Sequence, residues 1–370
     1  MVKLRYRSLI YSLGGLFFAT FVVRTTTNSA SENWTFRSRR SINAPQLTLI
    51  PNCLNATSRA ILDVDHSSAY EALPRSFSSI ELHKITDVTF AGASEAFFLS
   101  ILPLHGSIFA SYRTSLSSWD TTVVKMDSSF MPVPATQTHI SNTEDARVIE
   151  FNDEGWLIDN HFLKDRVMTT IDGSKRIVLD TSALGKTFER GKNWSPFVYE
   201  KRLFFVYSIS PLRILECEMP QGKLLWAYRA DDDSSGAGLN SPRNLGNMLK
   251  RGGTNGVVYG EYVYGVARET KYEQITCSAR QYSNVAQHYP FLWRFSVHLL
   301  RKTRNSNEVI EFREIRHPFR HGVNDPASLF VYNSSMYLTV SSCSCACLPE
   351  FRHENDWQRN SVFRVQLVTK

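Results

Sequence analysis

No two cysteines in this sequence are spaced as C-x-x-C, and no block of basic residues alternates with aromatics. Past the first two dozen residues, no amphipathic helix of ordinary length can be traced either. Each absence removes a class of protein. Only His353 lies near the cysteine-rich stretch SSCSCACLPE, so a zinc centre of the usual spacing is not expected. The net charge of +7 is scattered along the chain, so a nucleic-acid surface is not expected. Charged residues make up 21% of the sequence and aromatics 12%, a balance that favours many short β-strands over long charged helices. The six cysteines are Cys53, Cys217, Cys277, Cys343, Cys345 and Cys347. The last three alternate along an expected strand and so share one face. That spacing suits bridges to distant partners, or free thiols, better than pairing with one another.

What is present at the N-terminus is an apolar run. Lys3, Arg5 and Arg7 precede LIYSLGGLFFATFVV, uncharged from Leu9 to Val23, and Arg24 follows. As a helix, residues 9–23 cover roughly 22 Å against a hydrocarbon core of roughly 30 Å, a deficit that thin early-secretory membranes and snorkelling arginines accommodate. Positive charge ahead of the span places residues 1–8 in the cytosol and the rest of the chain in the lumen. The expectation is a signal anchor, because Val22, Val23 and Arg24 suit a signal peptidase poorly. A cleaved signal peptide ending near TTTNSA is the alternative. Four N-x-Ser/Thr triplets, at Asn33, Asn55, Asn193 and Asn333, agree with a secretory route. Residues 24–80 read as a lumenal stem and lead-in.

From about residue 81 to residue 370 one pattern recurs: an apolar strand, a short polar turn, then an apolar aromatic strand. It appears in RVIEFNDEGWLIDNHF, PFVYEKRLFFVYSIS, GVVYGEYVYGVAR and SLFVYNSSMYLTVSS, with a weaker copy ending in GSIFASYRTS. Five such units, near 85–125, 143–185, 190–232, 250–300 and 322–368, predict an all-β, five-bladed β-propeller; a β-sandwich of similar hairpins is the alternative. Four of the hairpins follow a polar cluster: NTEDARV, GKNWSPF, KRGGTNGV and GVNDPASLF. In a propeller, loops leading into the innermost strands converge on the axis. Arg113, Asp145, Arg147, Lys192, Asn193, Trp194, Arg251 and Asp325 are therefore expected to form one charged pocket with an aromatic wall.

EDARV, then KNWSPF…YEKRLFFVYS, then RGGTNGV, resembles the five-bladed propellers of glycoside hydrolase family 130 and the related β-1,2-mannosyltransferases of glycosyltransferase family 108. The resemblance spans about residues 85 to 345 as short motifs in order. It implies a catalytic carboxylate at Asp145, with Glu144 and Arg147 beside it. It also implies that Lys192, Arg113, Arg147 and Arg251 receive an anion, either phosphate or the diphosphate of a sugar nucleotide. Asn193 and Asn255 then bind sugar hydroxyls. The family's Pro is Ala146 here, and YGVARET lacks the His expected in that tract.

A short tail, one anchor, a stem and a catalytic domain match the architecture of resident Golgi transferases. The expected function is thus a membrane-anchored lumenal glycosyltransferase, single-pass type II in the Golgi or endoplasmic reticulum. It moves a hexose, on this reading mannose, from a sugar nucleotide to a glycan acceptor. A phosphorylase or inverting glycosidase of the same fold, and a sugar-binding propeller without chemistry, are the alternatives. Direct hydrolysis needs a second carboxylate, for which Asp325 and Asp87 are the candidates. The acidic run Asp231–Asp233 reads as a solvated turn rather than a metal-binding D-x-D, so no metal and no cofactor are expected. Asn193 is expected to carry no glycan, because one there would block the pocket. The membrane reading is testable directly: in closed microsomes the C-terminal domain should resist added protease until detergent is present, and its digestion without detergent overturns the orientation.

Overall fold

The structure is a computed structural model of the chain. It describes residues 77–368 apart from 94–95, 115–118, 160–165, 186–192, 210–211, 230–248, 278–279, 301–309, 317–322 and 344–357, and also residues 8–13 and 16–21. The chain divides into two compact units, Met1–Leu54 and Asn55–Lys370.

In the first unit, β1 (Ser8–Leu13) and β2 (Leu16–Phe21) pair antiparallel, with Leu13 opposite Leu16. The helix expected over residues 9–23 is not what the structure draws. The physical reason lies in the sequence: two apolar runs rich in aromatic and β-branched residues flank Gly14 and Gly15, which is also a hairpin signature. No helix among the described residues is long and apolar enough to cross a membrane.

The second unit is all-β, in a propeller-like arrangement. It begins with β3 (Ser79–Val88). Three four-stranded antiparallel sheets follow. The first holds β4 (Phe97–Leu104), β5 (Ser107–Arg113), β6 (Thr121–Met126) and β7 (Thr138–Ile140). The second holds β8 (Arg147–Phe151), β9 (Glu154–Ile158), β10 (Val167–Thr170) and β11 (Arg176–Val178). The third holds β12 (Ser195–Tyr199), β13 (Arg202–Ile209), β14 (Leu212–Glu218) and β15 (Lys223–Arg229). The remaining strands are β16 (Leu249–Gly252), β17 (Val257–Tyr259), β18 (Tyr262–Cys277), β19 (Arg280–Ser296), β20 (Glu311–Arg316), β21 (Val323–Tyr332), β22 (Ser335–Cys343) and β23 (Gln358–Val368). Together with β3 they form one nine-stranded sheet in two halves, β16 to β20 and β21 to β23.

The innermost strands neighbour one another in a ring: β4 beside β8, β8 beside β12, β12 beside β17, β17 beside β21, and β21 beside β4. Separate apolar clusters fill the gaps between successive sheets. Leu102, Val148 and Leu157 lie between the first two, Trp194, Phe205 and Met168 between the second and third, and Phe197, Phe204 and Trp293 between the third and the next. The core is thus a set of wedges and not one layer.

The inner hairpins form where the sequence places them, and their turns show why. Asn152 and Asp153 have φ of 52° and 60°, Glu200 and Lys201 of 48° and 57°, Asn333 and Ser334 of 46° and 59°, and His105 and Gly106 of 49° and 72°. Two consecutive left-handed residues make the two-residue turn whose twist matches paired strands. The first unit of the expected repeat departs from this scheme. Residues 85–88 belong to β3, which pairs antiparallel with β23 from Val88↔Asn360 to Ser79↔Val368. The first strand of the second unit thereby closes the ring on its last strand. β3 also runs parallel to β20, Ile80 opposite Ile315, and this pairing fuses the last two sheets into one.

A second seam joins β4 to the last sheet through hydroxyl groups. Ser341 Oγ accepts from Leu99 N at 3.0 Å, Ser328 Oγ accepts from Ile101 N at 2.9 Å, and Thr339 Oγ1 donates to Leu99 O at 2.6 Å. These bonds serve backbone groups around a register shift between Phe97 and Ser100, where the β4 ladder with β5 is interrupted. Cys343 is disulfide-bonded, whereas Cys217 is a buried free thiol in the wedge between the second and third sheets.

Gly265 shows how tightly the wedges close. It stands opposite Trp293 in the β18–β19 pair, and a Cβ added there would come within 2.1 Å of the fully buried indole. Gly265→Ala must displace Trp293 from its stack on Phe295. The expected cost is about 2 kcal/mol or more, seen as a lowered Tm, and an unchanged Tm would contradict this packing.

Candidate functional site

The site forms where the lead-ins of the inner strands meet. Glu144 and Asp145 precede β8, Asn193 and Trp194 precede β12, and Gly253 to Asn255 lie between β16 and β17, while Asn324 and Asp325 sit within β21. All the side chains described among them are buried; Asp145 is 5% exposed, Asn193 4% and Asp325 1%.

Arg147 is the hub, 1% exposed. Its Nε donates to Gly253 O, its Nη2 donates to Asn193 Oδ1 at 3.3 Å, and its guanidinium lies 5.1 Å from the Phe98 ring centroid. Phe98, Asp145 and Asn193 have φ of 61°, 45° and 65° without being part of a tight turn. Such backbone costs energy in a non-glycine residue and is kept only where the surroundings fix it. All three stand around Arg147. Burial, reinforced by the Arg268 charge, pushes the Arg147 guanidinium down to about 9, with Asp145 and Asp325 countering, so it stays charged at neutral pH.

Asp145 faces a second arginine. Its Oδ1 lies 3.2 Å from Arg113 Nη1, which is also 3.5 Å from Glu144 Oε1. Arg113 in turn stands 5.6 Å from the ring centroid of Trp119. Glu144 is fixed through its backbone N–H, which donates to Asp159 Oδ1 at 3.0 Å. Arg166 Nη1 donates to Asp159 O at 3.1 Å and its guanidinium stacks 4.8 Å from the Trp194 ring.

Across the site, Arg268 Nη1 bonds Asp325 Oδ1, and His288 Nδ1 lies 2.8 Å from the same oxygen. Burial opposes the Asp325 charge, but Arg268, His288 and Arg147 outweigh it and hold the carboxyl below its ordinary 3.8. YGVARET contributes Arg268 to the site, and His288 comes from the neighbouring strand β19.

Of the residues named from sequence, the structure brings together Arg113, Glu144, Asp145, Arg147, Asn193 and Asp325 through these contacts and charge interactions. Three others take different places. Asn255 spends both ends of its amide on β21, Nδ2 donating to Leu329 O at 2.8 Å and Oδ1 accepting from Leu329 N at 3.1 Å, so it ties strands and does not face a sugar. Trp194 is 2% exposed and packs edge-on against Tyr207 and tilted against Phe205, part of a wedge and not a wall. Asp87 lies on β3 in a contact with Lys84 and Ser361, outside the site. Lys192 and Asp231–Asp233 lie outside the described residues, and Arg251 is placed only by its backbone, opposite Arg268. Asn193 is buried, while Asn333 is exposed at its turn.

Sequence reading missed Phe98, Asp159, Arg166, Arg268 and His288. Four are charged or titratable residues within or beside strands, each next to other polar residues, where alternation alone gives no sign of a site. No group of three metal-ligating side chains occurs among the described residues.

No protein-family model matches the chain, and no curated protein is similar to it in sequence. Solved structures similar in fold include an α-L-arabinanase of Cellvibrio cellulosa complexed with arabinohexaose, 8% identical, TM-score 0.43, over 73% of this chain and 91% of that one. A GDP-Man-dependent mannosyltransferase of Leishmania mexicana is 9% identical, TM-score 0.40, over 78% and 89%. An α-L-arabinofuranosidase of Podospora anserina is 11% identical, TM-score 0.41, over 78% and 97%. At these scores the likeness is one of fold outline, and the chemistry has to be argued from the site.

The depressed Asp325 carboxyl makes the sign of its pH dependence definite. Its contribution to stability is present above the unfolded value near 3.8 and is lost as pH falls through the lower folded value. Asp325→Asn should therefore be less stable than wild type at pH 7, with the gap narrowing below pH 3.8. Denaturant melts of both proteins across that range check this, and a gap independent of pH would refute it.

Proposed function

We propose that the ring of inner strands is the centre of a five-bladed β-propeller that carries a glycosyl-transfer site, with Asp145 as its catalytic carboxylate. One observation carries the reading: three left-handed, non-glycine residues surround a single buried arginine, and the one bearing a carboxylate is Asp145. Strain gathered at one point, supported from several strands, is what preorganised chemistry requires.

In this proposal Asp145 takes the proton of an acceptor hydroxyl as that oxygen bonds the anomeric carbon. The bond from that carbon to the diphosphate oxygen breaks, and its electron pair leaves with the diphosphate. With phosphate as nucleophile the same carboxyl, protonated, gives its proton to the glycosidic oxygen, which is the phosphorylase reading. Arg113 holds Asp145 in place. Lys192 and Arg251 are the cations left to meet the anionic group, since Arg113 and Arg147 are engaged with protein partners. Direct hydrolysis is less favoured, because Asp325 is bound by Arg268 and His288 and is a poor base. The chain is further proposed to be a type II membrane protein of the Golgi or endoplasmic reticulum, on the charge asymmetry around residues 9–23. Mannose is the proposed hexose, on the sequence resemblance alone.

A panel of sugar nucleotides, sugar phosphates and short mannosides, incubated with the protein, separates transfer from phosphorolysis and from binding without turnover. Asp145→Asn should lower turnover by about 10²–10⁴-fold with the fold retained. Lys192→Ala should weaken use of the anionic substrate by about 1.5–3 kcal/mol. A folded and fully active Asp145→Asn protein would end the assignment.

A further inference from the structure

Asn333 opens the triplet Asn333-Ser334-Ser335, a pattern that accepts an N-linked glycan in chains that enter the secretory route. It occupies the first of the two turn positions between β21 and β22, with Tyr332 paired to Ser335 across the turn. Asn333 and Ser334 are both exposed, and both have left-handed backbone, φ 46° and 59°. Asparagine accepts that conformation at small cost, so the turn by itself explains an Asn there. It does not explain a hydroxyl two residues on. The matching turn after β8, Asn152-Asp153-Glu154, has the same left-handed pair and no hydroxyl.

The position of this turn separates it from the site. β21 carries Asn324 and Asp325 near its start and runs on to Tyr332. At about 3.3 Å per residue, Asn333 stands about 25 Å along the strand from Asp325. β4, β8 and β12 likewise run from the lead-ins of the site to their own turns. His105 Nε2 lies 2.8 Å from Asp153 O, so the turns of the first two sheets touch one another. The inner turns therefore gather on the face opposite the lead-ins. His105, Asn152, Asp153, Glu200, Lys201 and Asn333 are all exposed there, a polar surface suited to a bulky, hydrated group. Beneath the Asn333 turn, Phe330 stacks on Tyr337 at 5.4 Å and Phe130 packs edge-on against Phe330 and Tyr332. Asn193, in the triplet Asn193-Trp194-Ser195, is the contrasting case: it is 4% exposed and its amide oxygen accepts from Arg147.

We propose that Asn333 is an N-glycosylation site whose glycan projects from the face of the ring opposite the Asp145 site. The side-chain amide nitrogen bonds the anomeric carbon of an oligosaccharide carried on a lipid diphosphate. The bond from that carbon to the diphosphate oxygen breaks, its electron pair leaves with the lipid diphosphate, and the amide gives up one proton. The secretory membrane's own oligosaccharide transferase does this chemistry, with Asn333 as its substrate. A glycan on that face leaves the lead-ins open. The proposal rests on the lumenal placement of the chain beyond Arg24 and is independent of the chemistry at Asp145.

The full chain should be produced in cells with a secretory pathway, treated with peptide N-glycosidase in heavy-oxygen water, and mapped by mass spectrometry. Each asparagine that carried a glycan then reads as a labelled aspartate. The peptide containing Asn333 should be labelled. Ser335→Ala should lose that label while keeping the turn asparagine. Asn333→Gly, which keeps the left-handed turn, should lose it too. A chain protected from protease in closed microsomes but unlabelled at Asn333 overturns the site, whatever Asn33 and Asn55 carry. A chain digested in closed microsomes overturns the lumenal placement, and the site falls with it.

Discussion

A guanidinium that no water reaches must be solvated by the protein, and at Arg147 this demand shapes the whole centre of the ring. Its partners come from separate stretches of chain: the carbonyl of Gly253 ahead of β17, the amide oxygen of Asn193 ahead of β12, and the Phe98 ring from the irregular part of β4. Removing it would strand a carbonyl and an amide and relax three strained residues together. Losing one partner of such a buried charged network costs about 3–5 kcal/mol. The loops are therefore held to the charge as much as the charge is held by them.

Gly253 shows the same constraint from the backbone side. A Cβ there would fall 2.4 Å from Val266 O and 2.6 Å from Pro326 Cγ, so the RGGT tract lies flat against β18 and β21. Only with that close approach does its carbonyl reach Arg147. This part of RGGTNGV is a packing requirement serving the hub. Asn255, two residues on, completes the same join by bonding both backbone groups of Leu329.

How much of this was legible depended on the range of the interaction. The inner hairpins were readable because alternation and turn chemistry are local: NDE, EKR and NSS place two left-handed residues where a two-residue turn needs them. The pairing of β3 with β23 was not readable, since Val88 and Asn360 are joined only through the closed ring. The lead-in residues Asp145, Arg147 and Asn193 were found because they recur at one register. Arg268 and His288 were not, because each occupies one position in a long strand and has meaning only opposite Asp325. Asn255 and Trp194 were placed correctly along the chain but given the wrong task. Sequence shows that a polar or aromatic group is near an axis, whereas its direction depends on which backbone or wedge claims it first.

The charges of the site bear on its chemistry. At the site four buried guanidiniums, Arg113, Arg147, Arg166 and Arg268, and the buried His288 stand with four buried carboxyl groups, Glu144, Asp145, Asp159 and Asp325. Arg113 pairs with Glu144 and Asp145, and Arg268 with Asp325, so this inner shell has little positive charge to spare for a ligand. A diphosphate or phosphate brings further negative charge, and a balanced shell would repel it as readily as attract it unless other cations join. Lys192 adjoins Asn193 in the chain, and the Arg251 backbone pairs with Arg268. On the proposed reading the two sets of cations have different tasks. The buried arginines hold Asp145 and its neighbours in strained geometry, and Lys192 with Arg251 is proposed to supply the surplus charge that a phosphorylated donor has to meet.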